Sequence, residues 1–268
     1  MVKRFLLTLI FILISSCSPP TAPETPLVIN REFLDEEITE ILIEIEGGTI
    51  DIQGEEWESI SLTHPTSITA DKIKINQGTY ALHIEQSSPA DDQTLKLNIP
   101  SSMRVQVKTF TGQILLTGKI NLVDISTTAG DIHLEDFQGG GIIRSGRGDI
   151  KVTGGDGDLK VIGEHGSLSV KEFQGPLSIS TIMGKIEYSS PELPMGEIQL
   201  EADHGPVTAS LSQQSDYQIE INSAGGIVIC SGESTSRTPT GCTGMTGLAS
   251  EQFQIRTVSG RIDFSILP

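Results

Sequence analysis

The chain has 268 residues, 28 of them glycine, with 4% aromatic residues and a formal net charge of −17. That length allows one large domain or two modest ones, and the acidic balance excludes the basic phosphate-binding face that a nucleic-acid partner requires. No stretch beyond the N-terminus carries a helical period, so the composition points to an all-β protein with many turns.

The chain opens with "MVKRFLLTLIFILISSC". Lys3 and Arg4 precede an apolar run from Phe5 to Ile14, short of the roughly 20 residues of a membrane span but of the length of a signal core. Ile14-Ser15-Ser16-Cys17 resembles the lipobox of bacterial lipoprotein signals. The resemblance implies that residues 1–16 are a signal peptide and that Cys17 carries lipid, palmitate included, as the first mature residue. The alternative is an ordinary cleaved signal with an incidental cysteine. Residues 18–26, "SPPTAPETP", hold four prolines and would stay extended at about 3.1 Å per residue, so 17–26 reads as a stiff tether. The expectation is an extracytoplasmic, lipid-anchored protein.

Residues 27–100 alternate aliphatic and polar positions across glycines, as in "ILIEIEGGTIDI" (41–52) and "KIKINQGTYALHI" (72–84). Irregular strands here would form an N-terminal β cap, because a bare sheet end invites aggregation. From residue 101 the pattern is strict. Gly112, Gly130, Gly148, Gly166 and Gly184 stand 18 residues apart, followed by Gly205, Gly226 and, after a longer step, Gly260. Aliphatics recur five before the glycine (Val107, Ile125, Ile143, Val161, Ile179) and two after it (Ile114, Ile132, Ile150, Leu168, Ile186). Period-two alternation on both sides means two strands per repeat, each with one buried face, and the glycine is expected to supply positive φ at the bend between them. "FQGG" (137–140), "GGDGD" (154–158) and "FQGP" (173–176) mark the other corner. The fold expected over 101–268 is a β-solenoid, parallel β-helix-like, of about 18-residue two-strand coils stacked like over like. The placement of the last coil is left open by the long step before Gly260.

The segment from "LKLNIPSSMRVQVKTFTGQILL" through the coils resembles the adhesin-like, Toastrack-type β-strand repeat family of bacterial envelope proteins. The matching features are a strand ending in Pro100, a short link, then Val105-x-Val107-x-Thr109-x-x-Gly112-x-Ile114. The resemblance implies a cell-surface β protein, with some relatives in envelope-stress modules, and brings no catalytic residues with it.

Candidate sites are few. Asp131 and Asp149 each follow an anchor glycine one coil apart, which would stack two carboxylates about 5 Å apart. Such a pair could hold Ca²⁺ or share a proton, or simply suit the turn beside Arg147 and Lys151. His165 and His204 also sit at the corner, but an intervening coil would separate them by roughly 9.6 Å, too far for one zinc ion. "GGDGDLKV" (154–161) imitates a Ca²⁺-binding nonapeptide except that Leu159 replaces the aspartate. The column Thr109, Thr127, Ser145, Thr181, Ser223 and Thr257 shares parity with the core and is expected inside, its hydroxyls bonding backbone at the bend. No residue is therefore assigned a catalytic, cofactor-binding or metal role. Cys230 and Cys242 flank a polar insert (230–242) and are expected to form a disulfide in an oxidising compartment. Counting from Gly225 buries Ile227 and Ile229 and turns Cys230 outward; counting from Gly226 buries Cys230 after Val228. The first register is preferred because two isoleucines fill a core better.

The function read from these features is a non-catalytic, membrane-anchored surface lipoprotein that binds an unknown surface protein or glycan, or acts as a spacer. The alternatives are an accessory or sensory part of an envelope-stress system, and, third, a carbohydrate-active β-helix enzyme, for which no nucleophile, base and electrophile converge.

Overall fold

The computed structural model describes residues 28–33, 38–65, 73–86, 93–190, 194–232 and 235–267. The expected signal peptide (1–16), the expected lipidation site Cys17 and the expected tether (17–26) lie outside them. In chain order the strands are β1 (Val28–Phe33), β2 (Glu40–Ile45), β3 (Thr49–Glu55), β4 (Ile60–Pro65), β5 (Ile73–Gln77), β6 (Ala81–Gln86), β7 (Thr94–Pro100) and β8 (Arg104–Thr111). Two long strands follow, β9 (Gln113–Ala129) and β10 (Ile132–Arg147). Then come β11 (Ile150–Thr153), β12 (Leu159–His165), β13 (Ser167–Lys171), β14 (Leu177–Thr181), β15 (Lys185–Ser190), β16 (Ile198–His204) and β17 (Val207–Ser212). The last are β18 (Tyr217–Ser223), β19 (Val228–Ser231), β20 (Thr235–Thr238), β21 (Gly241–Met245), β22 (Glu251–Ser259) and β23 (Ile262–Leu267).

Alternation of buried and outward positions is plain in the strands of the two walls. Leu159, Val161, Leu177 and Ile179 on one wall, and Ile132, Leu134, Ile150 and Val152 on the other, are fully or almost fully buried. Lys160, Lys151 and Glu187 point outward between them. Each aliphatic packs over its equivalent in the next layer, with Ile132 beside Ile114 and Ile150, and Leu159 beside Leu177. At about 25 cal/mol per Å² of apolar area, these stacked rows supply most of the driving force for folding.

The expected open solenoid of uniform parallel coils is nevertheless corrected. All the described strands join in one mixed sheet that rolls into a nearly closed barrel. β9 and β10 run unbroken through the corner where the repeat was expected to leave the sheet, so each belongs to both walls. Gly118, at φ +81°, lets β9 turn without breaking the ladder. Among the described residues five antiparallel pairings, β1–β4, β4–β7, β5–β6, β18–β21 and β20–β21, replace parallel stacking toward the ends. Periodicity reports which residues stack; it does not report whether the backbone leaves the sheet between them, and it is silent on antiparallel closure.

Stacking order also departs from chain order at both ends. β2 lies between β6 and β8, and β3 between β7 and β9. At the other end β22 lies between β16 and β18, and β23 between β17 and β19. The last coil is thus the penultimate layer. Its Phe253 joins the layers through ring contacts to Tyr188 (5.9 Å), Tyr217 (6.1 Å) and Phe264 (5.5 Å).

The anchor glycines form one column in the order Gly48, Gly112, Gly130, Gly148, Gly166, Gly184, Gly205, Gly260, Gly226. A Cβ on any from Gly112 onward would fall well inside 3 Å of the carbonyl oxygen of an adjacent glycine in that column. Positive φ occurs at Gly48, Gly112 and Gly166 but not at Gly130, Gly148, Gly184, Gly205, Gly226 or Gly260. Close backbone approach, more than the expected positive φ, is why glycine stands here.

The local register of β19 is the other correction. Val228 pairs with Ile262 and Cys230 with Phe264, so Cys230 faces inward while Ile227 is 65% exposed. Gly226 seats on the Gly260 carbonyl, whereas Gly225 meets nothing tighter than ordinary contact. The glycine column sets the register and overrides the better fill of two isoleucines.

Candidate functional site

At the anchor corner, Asp131 and Asp149 stand one layer apart as expected, in a shallow depression with Arg147 and His165. Their carboxylates are engaged by the backbone. Asp131 Oδ1 accepts the Asp149 N–H at 2.9 Å, and Asp149 Oδ1 accepts the Ser167 N–H at 2.7 Å. Each aspartate clips its layer to the next, the turn-stabilising role of an acidic side chain beside a bend. His204 Nδ1 lies 2.7 Å from Ser259 Oγ, two layers from His165 with the Gly184 layer between them. Among the described residues no group of three or more His, Cys, Asp or Glu could hold a metal ion. In "GGDGDLKV" the glycines are corner pieces: Gly155 packs on the Phe137 carbonyl and Gly157 on that of Gly139, and Leu159 is core.

The hydroxyl column is buried at the bend and, apart from Thr127, whose Oγ1 has no hydrogen-bond partner among the described residues, bonds locally. Ser223 Oγ accepts the Gly226 N–H at 2.8 Å and the Thr257 hydroxyl at 2.9 Å, and Thr181 Oγ1 accepts the Gly184 N–H at 3.0 Å. These side chains hold the corner together and face no ligand.

The disulfide between Cys230 and Cys242 is present, with Cα atoms 6.7 Å apart. Cys242 of β21 sits opposite Ile221 of β18, and Cys230 sits in β19 on the other wall. The bond therefore crosses the end of the barrel and fixes the β20–β21 hairpin against it. Tyr217 closes the same end, its hydroxyl donating to the Gly196 carbonyl at 2.8 Å. Burial, then the nearby Glu251 carboxylate, pushes the Tyr217 phenol up; burial does the same to Tyr188, with the Tyr217 charge second.

Outside this fixed end lies a groove of about 790 Å³ that sequence reading missed. It is lined by Gln218, Glu220 and Asn222 of β18, Thr243 and Met245 of β21, and Ser236 of β20. Alternation explains the lining: Tyr217, Ile219, Ile221 and Ser223 fill the core, so the residues between them face out. Asn222 Nδ2 donates to Glu220 Oε1 at 2.8 Å, and Gln252 Nε2 donates to Gln218 Oε1 at 3.1 Å, which orients the polar ends. Met245, 61% exposed, adds an apolar thioether. Carboxamides, hydroxyls and one carboxylate, with no Lys, Arg or His among the described lining residues, suit hydrogen bonding to a neutral polar partner. The only hint in the sequence was the polar insert that Cys230 and Cys242 enclose.

The fold and this surface define an all-β module with a polar groove on a disulfide-fixed end. The chain belongs to the Toastrack DUF4097 family, whose model matches residues 37–265. Among solved structures, a candidate adhesin from Bacteroides fragilis is 15% identical, with 90% of this chain and 98% of that one covered and a TM-score of 0.46. A candidate cell adhesion protein from Clostridium sporogenes is 11% identical, covering 91% of this chain and 100% of that one at a TM-score of 0.34. No curated protein matches the chain.

Proposed function

We propose that this protein is a non-catalytic, extracytoplasmic surface module, lipid-anchored through Cys17, that holds a binding groove away from the membrane. The observation that carries the reading is the separation of the two ends. β1, which begins at Val28, pairs at the outer edge of one end, and the Gln218–Met245 groove lies at the other. The glycine column from Gly48 to Gly226 spans roughly 40 Å between them at the inter-strand spacing. A tether of residues 17–26 would attach at the first end and leave the groove pointing away. The Cys230–Cys242 bond supports an oxidising compartment, since such bonds rarely persist in the cytosol. The groove would bind a surface protein or glycan through its amides and hydroxyls.

The anchor is tested by fractionation and mass spectrometry of Cys17→Ala. The variant is expected to leave the membrane fraction or to accumulate as uncleaved precursor, while the parent shows an acylated N-terminal cysteine. A mature N-terminus elsewhere, without acyl mass, overturns the anchoring.

A further inference from the structure

We propose that the C-terminal coil, Glu251–Leu267, is an exchangeable insert that a second copy of this chain can supply, linking two molecules by reciprocal strand exchange. The coil fills a slot. β22 is paired in parallel with β16 on one side and β18 on the other, and β23 likewise with β17 and β19. Without it, both neighbouring layers would show unpaired backbone and the pocket around Phe253 would be open to water. A segment that fits must bring a glycine between Gly205 and Gly226, as Gly260 does, and aromatic rings at the positions of Phe253 and Phe264. The same segment of another copy meets every one of those requirements, and mutual donation closes a two-fold dimer without new chemistry.

The connection is built for it. The covalent link to the insert is the short loop 246–250, in which Leu248 is 88% exposed and the non-glycine Ala249 holds φ +53°. That left-handed conformation costs an L-residue energy which an opened, extended hinge would release. Asp216 latches the loop shut: its Oδ1 accepts the Leu248 N–H at 2.6 Å and its carbonyl the Glu251 N–H at 2.9 Å. The Cys230–Cys242 bond lies wholly before the hinge, so the groove wall on β18, β20 and β21 stays with its own chain when the insert leaves, and Gln252 beside Gln218 would come from the second copy. Exchange would double the grooves on one assembly, and two linked sites raise avidity without any new contact.

Gln199 and Gln254 face each other outward across β16 and β22, which provides the test. The full-length variants Gln199→Cys and Gln254→Cys are unfolded, mixed, refolded at high concentration and oxidised. Exchange predicts a disulfide-linked dimer containing one chain of each, above the background of the parent protein treated alike. Adding Asp216→Ala should raise its yield about tenfold, since a charge-assisted hydrogen bond then no longer holds the closed loop. The double variant Gln199→Cys/Gln254→Cys, refolded dilute, serves as the folding control by cross-linking within one chain. If that control cross-links and the mixed single variants give no dimer above background at any concentration, with or without Asp216→Ala, the proposal is overturned.

Discussion

Gly225 and Gly226 are neighbours with opposite jobs. A methyl group on Gly226 would collide with the Gly260 carbonyl, a backbone atom that cannot swing aside. Gly225 is exposed, with ordinary contact at most. Gly226→Ala is therefore expected to cost about 2–4 kcal/mol and Gly225→Ala no more than about 0.5 kcal/mol in denaturant unfolding. Equal effects would mean that the column does not depend on close approach. Tyr188 and Tyr217 set an alkaline limit at the same scale. Their phenols are raised above the ordinary value of 10.0, so above about pH 10 the unfolded chain loses these protons first and stability falls as pH rises. Below that pH both states keep the proton and the two tyrosines contribute no pH dependence. Unfolding measured from pH 8 to 11 should show the decline, and Tyr217→Phe should make it shallower.

Between layers, the elements were legible wherever one residue type repeats in one place. Val105 beside Val123 and Ile150 beside Leu168 follow from spacing alone, because parallel register places like residues on like. Spacing could not show that β9 and β10 continue through a corner, since Gly118 reads the same in a bend as in a loop. Nor could it place β22 and β23 inside the stack, because each repeat unit is compatible with any neighbour of the same kind. The groove escaped for a related reason: Gln218, Glu220 and Asn222 are ordinary outward positions until β21 folds back beside them. The disulfide was legible because two cysteines flank a segment too polar to pack itself, even though side-chain fill alone favours the register that turns Cys230 outward. Replacing Cys242 with serine should lower stability by about 3 kcal/mol in the chain-entropy picture. Reductant should lower the melting temperature of the parent similarly and leave Cys242→Ser unmoved. No response of the parent to reductant would contradict the role given to this bond.

Across the whole molecule, one end carries β1, the first described strand, and the other carries a polar groove with no Lys, Arg or His among its described lining residues. The direct measurement is binding of the purified full-length protein to isolated cell envelopes, comparing groove and tether-end variants. The account predicts that Gln218→Ala with Asn222→Ala weakens binding at least about tenfold, while Lys74→Ala on the exposed face of β5, at the tether end, leaves it unchanged. Binding that survives the groove variant intact, or falls equally with Lys74→Ala, would contradict it.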